Sequence, residues 1–397
     1  MRARSKARVR RGPPLHAVIL AGGAGERFWP VSRRHRPKPF MRVVEGKTLL
    51  EATLERARRF VAAENVWIVC GHEHARAMRA ESGLPASRIL VEPQRRNTAM
   101  AVAWAAHRIA AADPDAVMAV LSADHHIPDV KAFARAMRTA AEDAAHRAGV
   151  LMTVGVRPTR PETGYGYIHV GDSPGEGWSD IRRVRRFVEK PGAARARRYL
   201  ALGDYLWNAG IFVWSARTLL DEIETCAPDL HRALAPLRAK PKGRNAEAVK
   251  RAYRRAPSLP IDVAVMERSQ RVWTIPADFA WSDVGTWASL AEELGVGRKR
   301  RARAATGTRP AGRRGRRSAG DRSADENGNR VLDGDVLLEA SHSNLIWGGD
   351  RLIALLGVDD LAVIDTDDVI LVTKLEHSPD VRKFVAALKA KKREDLT

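Results

Sequence analysis

Between Leu15 and Gly155, short apolar runs alternate with longer stretches rich in Ala, Arg and Glu. The runs Leu15–Leu20, Val66–Cys70, Arg88–Val91, Ala116–Leu121 and Val150–Gly155 are predicted as buried strands. Thr48–Val61, Asn97–Ala112 and Val130–His146 are predicted as helices, and His72-Glu73-His74 is expected to start another. Such alternation predicts a mainly parallel sheet covered by helices on both faces, with ligands bound beyond the carboxyl ends of its strands. After Gly155 the pattern becomes strands and loops: Gly166–Val170, Ile181–Val188, Leu206–Trp214 and Val272–Pro276, read as extensions of that sheet. Short apolar runs then follow at regular turns: Val331–Leu338, Ser343–Ile346, Arg351–Gly357, Leu361–Asp365 and Asp368–Val372. They predict a small all-β domain in the manner of a few β-helix coils, closed by a helix over Pro379–Lys392.

The 397-residue length suits one large domain and one smaller one, and an apolar content of 45% can fill a sizeable core. The net charge of +21 raises the question of a nucleic-acid partner, which its distribution answers. Residues 1–11 hold six Arg or Lys and no acid, and residues 298–322 hold eleven and one acid, so these two segments carry sixteen of the charges. Basicity therefore belongs to a tail and a linker, and nucleic acid is not expected as a partner. The expected division is a basic disordered tail over 1–14, a large α/β domain over 15–296, a basic flexible linker over 297–328 and the small β domain over 329–397. Two cysteines, Cys70 and Cys226, support no disulfide framework and suggest a reducing cytoplasm. No apolar stretch approaches the roughly 18 residues that span a bilayer, and no signal-peptide core is expected in Leu15–Leu20.

The first strand runs through Leu20 into Gly22-Gly23-Ala24-Gly25, with Arg27 in the loop and Lys38 eleven residues after it. Glycines let successive backbone N–H groups surround an anion, which Arg and Lys neutralise. A P-loop is excluded because no Lys-Ser or Lys-Thr follows at its spacing. A dinucleotide fingerprint is excluded because Phe28 stands where its third glycine belongs. The remaining pattern, G-G-x-G-x-R-x-x-P followed by P-K-P, resembles the opening motif of the sugar-phosphate nucleotidyltransferases. Its variant G-E-R-F-W-P resembles the mannose-1-phosphate guanylyltransferases.

Nucleotidyl transfer needs a held triphosphate, a bridging metal and an attacking sugar phosphate in line with the α-phosphate. Leu20 and the N–H groups of Gly22, Gly23 and Gly25 are assigned to the nucleotide, Arg27 to its phosphates as a fork, and Lys38 to the reacting phosphates as a point charge. For Lys38 the alternative is a solvated surface lysine, against which Pro37 and Pro39 argue by stiffening its backbone. Asp124 in L-S-A-D-H-H-I-P follows a predicted strand and offers a hard oxygen suited to Mg²⁺. His125 and His126 have no partner pair at zinc spacing and are assigned structural or sugar-side roles. The resemblance implies that Asp283, in F-A-W-S-D-V-G-T-W and 159 residues from Asp124, completes the metal site. The alternative there is a turn packed by tryptophans.

For the sugar phosphate, Gly164 and Tyr165 in P-E-T-G-Y-G-Y allow close backbone approach. Glu189 is assigned to sugar hydroxyls, Lys190 to the phosphate as a further catalytic cation, and Asn208 to a hydroxyl. A solvated strand end is the alternative for Glu189 and Lys190. Asp262 is assigned either to the same pocket or to a helix N-terminus. The resemblance places V-E-P-Q-R-R-N-T-A around the guanine, with Glu92, Asn97 and Thr98 as candidate contacts; helix capping is the alternative for Asn97 and Thr98.

These motifs run in order from Leu15 to Trp287, and R-L-I-A-L-L-G and D-T-D-D-V-I-L extend the resemblance towards the C-terminus. It implies a Rossmann-like nucleotidyltransferase domain and conversion of GTP and α-D-mannose 1-phosphate to GDP-mannose and pyrophosphate with Mg²⁺. The chain departs from the familiar pattern at P-K-P-F and A-W-S-D-V, neither of which removes a charge. Some relatives carry an isomerase domain after the transferase; ending at Thr397, this chain is expected to hold a single activity. A homodimer stays open, as do transfer to another hexose phosphate or from another base, and RNA binding through the Arg-rich segments.

Overall fold

The computed structural model describes residues 12–23, 25–44, 46–147, 149–173, 175, 180–238, 246–297 and 324–397. The segments expected as a disordered tail and a flexible linker lie outside the described residues except at their inner ends. There, the Pro14 carbonyl accepts the Val117 N–H at 2.9 Å, and the Gly297 N–H donates to Gly328 at 3.0 Å. The chain forms two compact units. One comprises Met1–Gly22, Thr53–Ala123 and Ile127–Trp281; the other comprises Gly23–Ala52, Asp124–His126 and Ser282–Thr397.

The first unit is built on one sheet. Its strands lie in the order Ile89–Glu92, Val66–Gly71, Leu15–Ala21, Val117–Ser122, Tyr205–Ser215, Leu151–Val156, Val272–Ala277, Arg182–Val188 and Tyr167–Val170. Every predicted strand of the large domain forms, within one residue at either end. The first four are mutually parallel, and of all nine only Tyr205–Ser215 and Arg182–Val188 run the other way. Burial on both faces explains the near-continuous apolar runs: residues 66–70 and 117–121 are buried throughout.

Helix Asn97–Ala110 packs its Ala-rich surface onto this sheet, with Ala99 through Ala106 all buried. Helix Val130–His146 begins at Asp129, whose carboxylate accepts the Ala132 N–H at 2.8 Å. Several helices arise where only strands and loops were expected, the longest being Ala193–Leu202, Ala216–Cys226 and Ala246–Arg255. Their apolar stripes are short and broken by arginine or acid, so tertiary burial decides them. Ala216–Cys226 did carry one local signal, its Ser215 cap, whose hydroxyl accepts the Thr218 N–H at 3.1 Å.

The second unit winds the C-terminal chain between two small sheets. Arg330–Asp333, Leu345–Trp347 and Leu361–Asp365 stack in parallel, with Ile370–Lys374 antiparallel at the end; Val336–Glu339 and Ile353–Leu356 pair in parallel beside them. The strand expected over Val331–Leu338 is thus two strands. Gly334 breaks it at φ +95°, where an added Cβ would lie 2.9 Å from the Gly348 Cα. Buried Asn329 and Asn344 stack at the coil corners, the Asn344 amide donating to Asn329 Oδ1 at 3.0 Å. The expected closing helix appears as a 3₁₀ turn, Leu375–Val381, continued by Arg382–Ala390.

An apolar cluster joins this β-domain to the early segment: Phe28, Trp29, Met41 and Leu49 pack with Trp287, Leu345, Ile364 and Val385. Trp287 is fully buried, edge-on to Phe28 at 4.9 Å and to Trp347 at 5.9 Å. Truncating so large a buried side chain typically costs about 3–5 kcal/mol. The cluster therefore supports the loop that follows the first strand.

Candidate functional site

Gly25 takes φ +63°, and an added Cβ would meet Lys38 Cβ and Ser32 Oγ, both at 2.6 Å. Only glycine allows the loop to fold down onto Lys38. The chain then turns through Glu26–Phe28, with Arg27 exposed and in no salt bridge among the described residues. Gly23 is also exposed.

Lys38 is the opposite of a solvated lysine: it is 7% exposed. Its ammonium donates to Asp124 Oδ2 at 2.8 Å and to the Asp283 carbonyl at 2.6 Å, and lies 5.7 Å from the Phe28 ring centroid. Three segments distant in sequence thus meet at one cation. A two-residue antiparallel bridge brings them together: His126 N–H donates to the Ser282 carbonyl at 2.9 Å and Ser282 N–H to the His126 carbonyl at 3.0 Å. His126 therefore has a structural part, played by its backbone. Next to Asp283, buried Val284 sits at φ +46°, a conformation that a β-branched residue adopts only when its surroundings impose it. The Ser282 hydroxyl accepts the Val284 N–H at 3.0 Å and helps hold that turn.

The first unit holds two further groups. At the carboxyl ends of two parallel strands separated by Val66–Gly71, Glu92 lies beside Gly22, its Oε2 3.7 Å from where a Cβ would stand. Leu20 is half-buried, and its carbonyl accepts the Ala123 N–H at 3.0 Å. Glu92 is buried and accepts the Tyr253 hydroxyl at 3.2 Å. Burial pushes its carboxyl up to about 7, against the Tyr253 hydrogen bond. Gln94 and Arg96 side chains both donate to the Tyr253 carbonyl at 2.8 Å, so the loop after Glu92 is tied to the end of helix Ala246–Arg255. Asn97 is exposed at φ +61°, its Oδ1 accepting the Thr98 N–H at 2.9 Å, while the Thr98 hydroxyl accepts the Ile261 N–H at 2.9 Å. No side chain caps the helix here, so the capping alternative is not what the structure builds.

The other group surrounds Asn208. Its amide donates to Asp262 Oδ1 at 2.6 Å, and its Oδ1 accepts the Thr153 hydroxyl at 3.2 Å. Asp262 is the first residue of the turn Asp262–Met266, so it stands at a helix N-terminus and against Asn208 together, as both of its expected readings require. Burial raises the Asp262 carboxyl above its ordinary range, opposed by the Asn208 hydrogen bond. A Cβ on Gly166 would stand 2.7 Å from Glu189 Oε2 and 3.5 Å from Asn208 Cβ, placing Glu189 in the same group. Lys190 pairs with Glu189 at 2.9 Å from a left-handed backbone at φ +42°. In the neighbouring loop Glu162 accepts the Gly164 N–H at 2.9 Å, and Tyr165 stacks edge-on to Trp207 at 5.2 Å.

Sequence reasoning missed Tyr253, Thr153 and Glu267, whose carboxyl is raised by burial and by nearby Glu189 and Asp262. Tyr253 is a lone aromatic in an Arg-rich stretch, which carries no local signal. Among the described residues no three His, Cys, Asp or Glu side chains form a metal cluster, and no helix is long and apolar enough to cross a membrane.

A glycine loop at a strand end, a buried lysine on two aspartate segments and a β-helix-like C-terminal domain define a class. Residues 16–295 match the nucleotidyl transferase family and residues 334–388 the mannose phosphate isomerase/GMP-like β-helix domain. The chain belongs to the nucleotidyl transferase family. It is 36% identical over 387 residues to the mannose-1-phosphate guanylyltransferase RfbM of Salmonella typhimurium, covering 95% of this chain and 73% of that protein. It is 33% identical to the alginate biosynthesis protein AlgA of Pseudomonas aeruginosa over 95% of this chain and 73% of AlgA. A solved Thermus thermophilus protein, described as a mannose-1-phosphate geranyltransferase, is 34% identical and superposes with a TM-score of 0.79 over 94% of this chain and 99% of its own.

Proposed function

We propose that this enzyme transfers GMP from GTP to α-D-mannose 1-phosphate, giving GDP-mannose and pyrophosphate. The observation that carries the reading is the buried Lys38 ammonium, held between Asp124 and the Asp283 carbonyl beside a glycine loop. A phosphate oxygen of the sugar phosphate attacks the α-phosphorus of GTP. The bond between that phosphorus and the α–β bridging oxygen breaks, and its electron pair leaves with pyrophosphate. There is little covalent work for side chains, so catalysis rests on orientation and charge placement.

Gly22, Gly23 and Gly25 offer backbone N–H groups to the triphosphate, Arg27 a forked cation, and Lys38 a point charge at the reacting phosphates. Glu92 accepts N–H groups of the guanine edge, and Leu20, Asn97 and Thr98 border the base and ribose. Asn208, Glu189, Asp262, Gly164 and Tyr165 receive the mannose hydroxyls, and Lys190 neutralises the sugar phosphate. The Asp124 carboxylate and the Asp283 carbonyl meet at the Lys38 ammonium; a divalent metal would be held by the Asp124 and Asp283 carboxylates, hard-oxygen ligands that leave further positions to phosphate and water. Bound there, Mg²⁺ would supply charge neutralisation on the phosphate oxygens. We place this activity in the cytoplasm, with neither membrane nor nucleic acid as a partner.

A panel of four nucleoside triphosphates against mannose and glucose 1-phosphates, followed by pyrophosphate release, tests the reading. GTP with mannose 1-phosphate is expected to lead. A clear preference for UTP or dTTP would rule the specificity out.

A further inference from the structure

Arg33 lies six residues after Arg27 and five before Lys38. It is 9% exposed, and its guanidinium forks onto Asp368 at 2.6 and 2.5 Å while its Nε donates to the Pro30 carbonyl at 2.8 Å. Asp368 belongs to the turn before the last strand of the β-domain, 335 residues away. A second tie lies close by: the Trp29 indole N–H donates to the Leu396 carbonyl at 2.6 Å, while the Trp29 carbonyl accepts the Trp287 indole at 3.3 Å. Lys389 meets Glu26 at 2.7 Å as a third, more exposed contact. Glu26, Trp29 and Arg33 are thus each held by the C-terminal part of the chain, and Arg27 and Lys38 are carried on the backbone that they pin.

We propose that the C-terminal β-domain positions the phosphate loop, with Asp368 and Arg33 as positioning residues that fix the turn presenting Arg27 and Lys38. The inference rests on the reading that those two cations meet the triphosphate. The physical basis is the geometry of the fork. Two parallel N–H···O bonds set both the distance and the rotation of the Arg33 plane, which a single bond or a lysine cannot do. Loss of Asp368 leaves a buried guanidinium short of partners, and the turn must move to rehydrate it. A displacement of about 1 Å at positioned phosphates can cost about 100-fold in rate.

The test is Asp368→Asn in the full-length enzyme, assayed well below its thermal midpoint with the nucleotide that the parent accepts. The expected result is a kcat lower by about tenfold or more, with the mannose 1-phosphate KM within about twofold of parent, as only the phosphate end moves. Asp368→Glu, which restores the carboxylate, should recover most of the rate. A lowered thermal midpoint with kcat unchanged would show a merely structural contact and overturn the proposal. If Asp368→Asn does not fold, Arg33→Lys keeps the charge without the fork and is read by the same two constants. Because the nucleotide is chosen from the parent's own preference, rejection of GTP would sink the proposed specificity and leave this result readable.

Discussion

The substitution Glu92→Gln examines the base-reading role through its pH dependence. Burial holds the Glu92 carboxyl up at about 7, so its charge changes within the working range. The N–H edge of guanine needs an acceptor, so binding follows the ionised fraction. That fraction is about one in eleven at pH 6, about half at pH 7 and about ten in eleven at pH 8. The Kd for GTP should therefore fall about tenfold between pH 6 and pH 8. Replacing the carboxylate by an amide removes a charged acceptor, costing about 1.5–3 kcal/mol, or roughly 10- to 100-fold in affinity at pH 8.

Calorimetric titration of GTP into parent and variant across this range provides the measurement. Any slope that persists in Glu92→Gln belongs to phosphate ionisation, and the difference between the curves belongs to Glu92. Parallel curves, or equal affinities at pH 8, would refute the assignment. Stability should move the other way. A carboxyl raised from 4.5 to about 7 favours the fold while neutral, and the penalty of ionising it accumulates as pH rises through that window. In the variant the penalty disappears, so at pH 8 it should gain up to about 3 kcal/mol over the parent in denaturant melts.

Other expectations concern the phosphate end and the basic segments. Asp124→Asn should lower kcat by about 1000-fold while leaving far-UV dichroism unchanged, since a carboxylate on the Lys38 ammonium loses its charge; near-normal turnover at limiting Mg²⁺ would contradict its placement. Arg27→Ala should slow kcat with little effect on sugar-phosphate KM, because its exposed guanidinium is assigned to the triphosphate. A change confined to that KM would move Arg27 to the sugar end. Replacing residues 298–323 by a short Gly-Ser bridge should keep kcat within about twofold, as Gly297 and Gly328 are already hydrogen-bonded at 3.0 Å. Salt-sensitive RNA binding lost with that segment, together with collapsed turnover, would favour the nucleic-acid alternative.

Much of this protein could be read residue by residue, because the signals are local. Apolar runs of strand length betray strands buried on both faces, and the nine of the large sheet lie within one residue of their expected bounds. The glycine loop with Arg27 and Lys38 could be picked out locally because glycine frees the backbone and proline fixes it wherever they occur. Helices such as Ala246–Arg255 escaped notice, since their buried stripe is only Ala248, Val249, Ala252 and Tyr253 amid arginines. Tertiary structure alone decided that Asp124 and Asp283 meet at Lys38, through a backbone bridge between His126 and Ser282. It alone set Tyr253 on Glu92 and fastened Arg33 to Asp368. No periodicity encodes such pairs: segments far apart along the chain meet only once burial of the intervening elements has offset the entropy of closing the loops between them.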